Sequence, residues 1–260
     1  MDNGMFAAFK WEAYFEAFPT ILMAFTKTIG ISLLALVLAL ILGVIFGLMS
    51  VSRSTVLRAI NRVYVEMIQN VPLLLQVFVM YAVFPLIGIK LSTFLIGVIA
   101  IGIYHGAYIS EVVRSGISSI PEGQFEAAKS QGFSYIQTMS LVILPQAISI
   151  IMPPLAVQAA NLIKNTSIMA LVAGGELMYA TNSFANSTSY YGPAYVVAAI
   201  LYFILCFPLS RLALHLEQNR GRRRIKRKEY YNPAMTEFDE DMKNAVAEEG
   251  VSTWESSSRG

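Results

Sequence analysis

Very few residues of this sequence have the type and spacing that catalysis or metal binding requires. His105 and His215 are its two histidines, and neither has a neighbour with which it could form a site. The phosphate-binding pattern Gly-x-x-x-x-Gly-Lys-Ser/Thr does not occur. We therefore predict no catalytic residue, no metal site and no nucleotide site in this chain, and an enzymatic function is disfavoured.

Ionisable side chains at the edges of long uncharged stretches are better suited to pairing than to catalysis. Glu66, Glu111 and Arg114 are predicted to form structural ion pairs, either Glu111 with Arg114 one helical turn away or Glu66 with Arg114 across helices. His105 lies deeper, beside Gly106. We expect it to be a packed, hydrogen-bonded histidine rather than a proton relay or a ligand.

The composition predicts that these residues are positioned by membrane-spanning helices. The chain has 260 residues, of which 55% are hydrophobic and only 14% charged, a balance that water-soluble domains of this length rarely have. A spanning helix needs about 20 apolar residues, because its backbone polar groups must be satisfied where water is absent. Five segments meet this requirement, approximately 19–49, 63–87, 91–113, 135–162 and 194–214. Prolines interrupt two of them: Pro72 and Pro85 in the second, and Pro145, Pro153 and Pro154 in the fourth.

The orientation of the chain is predicted from its basic residues. Lysines and arginines are concentrated between the first and second segments, between the third and fourth, and after the fifth. The positive-inside rule therefore predicts an N-terminus outside and a C-terminus in the cytoplasm. Trp11, Tyr14 and Tyr195 at the outer edges are suited to anchoring at the membrane interface.

The two ends of the chain differ in composition from the apolar region between them. Residues 1–17 lack the features of a secretory signal and are predicted to be a retained extracytoplasmic or interfacial segment. Residues 18–216 are predicted to be the transmembrane domain, and residues 217–260 a basic and then acidic cytoplasmic tail that is disordered beyond Tyr231. The basic run is expected to contact lipid headgroups rather than nucleic acid.

The most informative stretch lies between the third and fourth segments, in the connection at residues 117–134. It has the features of a short helix: Pro121 suits the first turn, and Gly132 can adopt the left-handed conformation that ends the helix. Between them Glu126, Ala127 and Ala128 place an acidic side chain beside two small ones. Small residues allow another surface to approach closely, and Phe125 and Phe133 could act as anchors in a groove of a partner.

This stretch resembles the coupling loop of permeases of ATP-binding-cassette importers. Their pattern is Glu-Ala-Ala, three residues, Gly, nine residues and Ile-x-Leu-Pro, which Glu126-Ala127-Ala128, Gly132 and the residues from Val142 to Pro145 match, except that Val142 replaces Ile. The polar amino acid branch of the family is resembled at three further places: Tyr64-Val65-Glu66 with Pro72 to Gln76, Ala107 to Ile117, and Asn161 to Ser167. The resemblance covers roughly residues 18–214.

The resemblance implies an all-α integral membrane protein with a five-helix permease core of the type I importer kind, located in the bacterial plasma membrane. It implies a non-catalytic subunit that works with two ATP-binding-cassette ATPases, a second permease, identical or homologous, and an extracytoplasmic amino acid-binding protein. ATP and Mg would be bound by the ATPases and not by this chain. The coupling residues it implies are Pro121, Phe125, Glu126, Ala127, Ala128, Gly132 and Pro145.

In the family fold, polar residues after the fourth segment lie at roughly mid-membrane depth, where they are tolerated if they line a wet cavity. Lys164 could neutralise a substrate carboxylate, and Asn165 or Thr166 could bind its side chain; alternatively, Asn165 and Thr166 cap a helix break. Gln69, where many relatives have Arg, and Asn70 either line the path or bend the helix before Pro72. The predicted substrate pathway comprises Gln69, Asn70, Asn161, Lys164, Asn165, Thr166 and Ser167.

The neutral amide of Asn165, where relatives often have Asp, favours an uncharged or acidic amino acid such as glutamine over a cationic one. A permease for basic amino acids or cystine is the alternative within the family. A passive channel or a membrane receptor is the alternative of another class, but neither would need a coupling loop.

Overall fold

The computed structural model describes residues 4–230, with side chains described through Gln218. The α-helices in chain order are α1 (Ala8–Ser50), α2 (Thr55–Gln69), α3 (Leu73–Phe78), α4 (Thr93–Ser118), α5 (Glu122–Ser130), α6 (Tyr135–Gln137), α7 (Leu144–Asn165), α8 (Leu177–Thr188) and α9 (Tyr191–Tyr230). Two π-helical turns (Val79–Val83, Thr138–Ile143) and two 3₁₀ turns (Phe84–Ile87, Thr166–Val172) continue α3, α6 and α7. The predicted tail beyond Tyr231 lies outside the described residues.

Five membrane spans are compatible with this structure, in agreement with the predicted all-α fold. In the described part of the chain, four helical stretches are long and apolar enough to span a membrane: Ala8–Ser50, Thr93–Ser118, Tyr135–Val172 and Tyr191–Gln218. The stretches Thr55–Gln69 and Leu73–Ile87 together form the fifth span if they are counted as one, with a bend of 92° between them. The first helix begins at Ala8 rather than near Pro19, because the alanines, glutamates and lysine before Pro19 favour a helix.

The core lies mainly between α1 and α4, where glycines allow the backbones to approach closely. A Cβ added at Gly47 would lie 2.6 Å from Val113 Cβ, and one added at Gly102 would lie 2.7 Å from Leu38 Cδ2. In lipid no hydrophobic effect drives helices together, so their association depends on van der Waals contacts. Small residues strengthen these contacts because they let the two backbones approach closely. Ile101 of α4 is completely buried in the core.

The bend between α2 and α3 is stabilised by side-chain amides. Pro72 has no N–H to donate to the preceding turn, so carbonyls there lack their helical partner. Gln76 Nε2 donates to the carbonyls of Ile68 and Val71 at 3.0 and 2.9 Å, and Asn70 Nδ2 donates to the carbonyl of Glu66 at 2.7 Å. The bend predicted at Pro72 is present, and Asn70 serves as its helix cap.

The expectation that prolines break the fourth span is wrong. The stretch Tyr135–Val172 is continuously helical. Pro145 lies in the first turn of α7, where an N–H is not needed, and the π-helical turn before it absorbs the change in backbone geometry. Pro153 and Pro154 lie inside α7 without ending it.

Helix α8 packs against the first part of α1. The ring of Tyr14 is completely buried and lies 5.0 Å from the ring of Phe184, edge to face. Tyr14 therefore belongs to a second apolar cluster with Ile21 and Leu177, and the prediction that it anchors the chain at the membrane interface is wrong. Tyr14 is buried because α8 packs back against α1 and covers this face of it.

Candidate coupling surface and translocation cleft

Helix α5 has well-defined ends that the sequence predicts. Pro121 precedes its first turn, and Glu122 and Lys129 lie in the first and last turns, where each charge complements the helix dipole. Gly132 has φ of 81°, and its N–H donates to the carbonyl of Lys129 at 3.0 Å. The N–H of Phe133 donates to the carbonyl of Ala128 at 3.1 Å, which completes a Schellman motif. The helix is therefore short and sharply ended.

The two faces of α5 have different roles. Ala128 is buried and Phe125 packs against the main core. Glu126 and Ala127 are exposed on the other side. Residues 125 and 128 share the inner face at helical spacing, and Phe125 is half-buried there, so the anchoring of a partner by Phe125 stays a prediction. The outer face that remains carries two acidic side chains, Glu122 and Glu126, beside the small Ala127, so another protein surface can approach it closely at Ala127.

Side-chain contacts tie α5 and its neighbours into one end of the bundle. Gln146 Nε2, on α7, donates to Gln124 Oε1 on α5 at 3.2 Å and to the carbonyl of Val142 at 2.7 Å. Arg53, in the loop between α1 and α2, lies over the ring of Tyr135 at 4.9 Å. A displacement of α5 would thus be transmitted directly to the start of α7, where Pro145 is exposed.

The structure brings together two of the three residues predicted to form ion pairs. Arg114 Nε and Nη2 donate to Glu111 Oε2 at 2.9 and 2.7 Å. Their side chains are 45% and 33% exposed, so the pair contributes on the order of 0.5 kcal/mol to stability. Glu66 is exposed and has no cationic partner in the described part of the chain, because its place on α2 lies away from this turn of α4.

A cleft of about 510 Å³ lies among the 3₁₀ turn after α7, α8 and α9. Of the predicted pathway residues, Lys164 and Ser167 line it, together with Asn182 and Tyr202. Asn182 Oδ1 accepts a hydrogen bond from the hydroxyl of Tyr195 at 2.9 Å. The cleft combines an ammonium, hydroxyls and an amide with apolar walls, which suits a small polar solute.

The other predicted pathway residues lie outside the lining of this cleft. Asn165 is half-buried and contacts His105, whereas Thr166 is completely buried and donates to the carbonyl of Ile163 at 2.7 Å. Asn161 is half-buried one turn before Asn165 on α7. Gln69 and Asn70 lie at the bend between α2 and α3 and are not brought to the cleft. No helix break occurs at Asn165 and Thr166 that these residues could cap, and the role of the set in substrate binding stays a prediction.

Sequence reasoning missed the buried carboxylate of Glu176. Its oxygens accept hydrogen bonds from the N–H groups of Met178 and Tyr179 at 2.8 and 2.7 Å and from the hydroxyl of Tyr202 at 3.0 Å. Burial raises the pKa of this carboxyl, and the three donors oppose the shift. One feature of the sequence could have indicated this carboxylate. Glu176 is the one charged residue between Lys164 and Arg211, and it directly precedes a segment of mixed polar and apolar residues.

A bundle of apolar helices with a polar cleft and a short, outward-facing helix at one end is the architecture of a membrane permease. The profile of the family described as binding-protein-dependent transport system inner membrane component matches residues 35–222. The chain therefore belongs to this family, whose members are non-catalytic, multi-pass subunits of importers that work with an ATPase and a binding protein.

Similar proteins agree with this assignment. The chain is 41% identical over 204 residues to the probable glutamine ABC transporter permease protein GlnM of Bacillus subtilis, covering 78% of this chain and 94% of that protein. It is 34% identical over 215 residues to the L-cystine transport system permease protein TcyB of the same organism, covering 82% and 92%. The crystal structure of an amino acid ABC transporter with histidines matches with a TM-score of 0.74 and 27% identity, covering 80% of this chain and 98% of that one.

Proposed function

We propose that this chain is the membrane permease of an ATP-driven importer for polar amino acids, with glutamine as the substrate. The observation that supports it most is the outer face of α5, where Glu126 and Ala127 are exposed while Phe125 and Ala128 hold the helix to the core. A surface that is small, acidic and rigidly supported suits a coupling contact with a motor protein. A passive channel or a receptor has no need of such a contact.

In this proposal the energy comes from other chains. Two ATPase subunits bind ATP and Mg, and each contacts the α5 helix of one permease. The second permease is another copy of this chain or a homologue, and an extracytoplasmic binding protein delivers the substrate. The end that carries α5 and the loop after α1 faces the cytoplasm, as the basic residues of that loop predict.

The mechanism follows from the contacts of α5. When the ATPases close around ATP, each α5 moves with its motor subunit. The Gln124–Gln146 hydrogen bond and the packing of Phe125 transmit that motion to α7. Because α7 ends at the cleft, its displacement changes which side of the membrane the cleft faces, and ATP biases the two states through its different contacts in each.

The choice of substrate is supported by the cleft and by the names of relatives. Lys164 supplies a cation for the substrate carboxylate, and the neutral Asn165 nearby offers no negative charge for a cationic side chain. Relatives named for glutamine transport share up to 41% identity with this chain. Cystine is the second candidate, because a relative named for L-cystine transport covers 82% of this chain.

The test is a charge reversal on the coupling face. The permease is co-expressed with a tagged candidate ATPase, and ATP hydrolysis is measured in membranes with the loaded binding protein. Glu126→Arg is expected to reduce amino acid-stimulated hydrolysis at least tenfold and to weaken co-purification with the ATPase, because a buried like-charge or mismatched contact is costly. Glu217→Arg, an equivalent reversal at an exposed position of α9, is expected to change neither. Stimulation that survives Glu126→Arg would contradict the proposal.

A further inference from the structure

His105 joins two amide side chains of α7 inside the bundle. Its residue surface is only 2% exposed. Nδ1 lies 3.3 Å from Gln158 Oε1, and Nε2 lies 3.0 Å from Asn165 Nδ2. Gln158 and Asn165 stand about two helical turns apart, so they share the face of α7 that meets α4. Both ring nitrogens are thus engaged, one at each end of the imidazole.

The three groups have one consistent set of donors and acceptors. A neutral imidazole has one N–H donor and one acceptor nitrogen. Asn165 Nδ2 can only donate, so Nε2 of His105 accepts and Nδ1 carries the proton, which it donates to Gln158 Oε1. The opposite tautomer would require both amides to turn over together. Each amide therefore depends on the other through His105.

This arrangement decides which atom Asn165 offers to its surroundings. Its amide nitrogen is occupied by His105, whereas its Oδ1 has no donor within bonding distance among the described residues. Asn165 is half-buried and does not itself line the cleft, but Lys164 directly before it and Ser167 two residues after it do. We infer that His105 is a positioning residue that fixes Asn165 with its oxygen, not its nitrogen, available to a polar substrate. The inference rests on the proposed function and extends it to specificity.

A fixed acceptor distinguishes substrates that differ by one polar group. A carboxamide side chain can donate a hydrogen bond to Asn165 Oδ1. A carboxylate side chain has only acceptors, so it would face the oxygen without a proton between them. Sites that hold one hydrogen-bonding group fixed discriminate more strongly than apolar pockets, because a mismatched partner leaves polar groups unpaired. His105 thereby favours glutamine over glutamate although it touches neither.

The test is equilibrium binding of radiolabelled glutamine to the assembled permease–ATPase complex without its binding protein, in competition with glutamate. The measured quantity is the ratio of the two dissociation constants. His105→Phe keeps a buried ring but removes both hydrogen bonds, and it is expected to reduce the preference for glutamine about tenfold, the effect of one net hydrogen bond. Asn165→Ala is expected to reduce it equally. The double variant is expected to be no lower than Asn165→Ala alone, since the two residues act as one unit.

Two further variants separate positioning from general stability. Ser110→Ala removes another buried polar contact of α4, the 2.8 Å hydrogen bond to Asn61 Oδ1, and is expected to leave the ratio unchanged. Gln158→Leu removes the acceptor that orients His105 at a half-buried position, and is expected to lower the ratio several-fold even if His105→Phe does not assemble.

An unchanged ratio in His105→Phe or Gln158→Leu, an equal weakening of both ligands, or an unchanged ratio in Asn165→Ala would overturn the inference. If the wild-type complex binds neither amino acid yet couples ATP hydrolysis to another solute, the choice of substrate fails first, and the inference fails with it.

Discussion

At the scale of single residues, several buried polar groups of this bundle have partners, although the hydroxyls of Tyr14 and Ser32 are buried without one among the described residues. His105 contacts two amides, Glu176 accepts from two backbone N–H groups and one hydroxyl, and Lys164 faces a cleft. Buried polar groups in an apolar environment are costly unless they are hydrogen-bonded. Their arrangement therefore contributes to the stability of the bundle, and the proposed function gives it a part in selecting the substrate.

The charge at position 165 is expected to influence which amino acids bind. Asn165→Asp would place an anion beside the cleft and require Nε2 of His105 to become the donor. We expect binding of arginine to the assembled complex to strengthen about tenfold, a scale typical of a new charge pair in a partly desolvated site. The measurement is competition of arginine against labelled glutamine. Asn182→Asp, which also adds an anion at the cleft, serves as the comparison. Equal binding of arginine by the wild type, Asn165→Asp and Asn182→Asp would contradict the role given to Asn165.

The carboxyl of Glu176 is expected to make stability depend on pH. Burial raises its pKa in the folded chain above the ordinary range of a glutamate, so the folded state binds the proton more tightly than the unfolded state. The stability that this proton contributes is present at low pH and is lost as pH rises through the folded pKa. The melting temperature of the wild type minus that of Glu176→Gln, which cannot titrate, should therefore fall as the pH rises above the ordinary pKa of a glutamate. A difference that stays constant or rises would contradict this account.

At the scale of elements, the close contact between α1 and α4 depends on glycine. Gly47→Ala places a Cβ 2.6 Å from Val113 Cβ, whereas Gly30→Ala in the same helix places one 3.4 Å from the ring of Phe94, an ordinary contact distance. We expect Gly47→Ala to destabilise the bundle by about 1–3 kcal/mol through overpacking. Gly30→Ala is expected to have little effect. Monodisperse yield and melting temperature in detergent measure both, and equal behaviour of the two variants would show that the helices are not packed this closely.

Some helices of this fold could be predicted from the sequence and others could not. The long apolar helices, the bend at Pro72 and the ends of α5 follow from hydropathy, proline chemistry and Gly132, all of which are local signals. Helix α8 was not anticipated, because its twelve residues mix polar and apolar types and are too short for a span. The burial of Tyr14 and the contact between Glu176 and Tyr202 depend on where α8 returns. Contacts between residues distant in sequence require the packing, which no local pattern provides.

At the scale of the whole molecule, α7 connects the end of the bundle that carries α5 with the cleft, which are the two places to which the proposal assigns coupling and substrate binding. The hydrogen bond from Gln146 to Gln124 connects α5 to the first turn of α7, and the other end of α7 carries Lys164 and Asn165. A single helix thus links the coupling face to the cleft. The residues of the cleft come from four elements, namely α7, the 3₁₀ turn after it, α8 and α9, so a change in the tilt of α7 would alter the cleft without unfolding any of them.

The central claim is that the outer face of α5 contacts an ATPase in the working importer. The most direct measurement is site-specific cross-linking from Ala127→Cys in a chain whose single native cysteine, Cys206, is replaced by serine. The complex is treated with a short bifunctional reagent in membranes with and without ATP. We predict a cross-link to the ATPase subunit whose yield changes with ATP. Absence of any cross-link to the ATPase, or labelling of residue 127 by an impermeant reagent from outside the cell, would contradict the account.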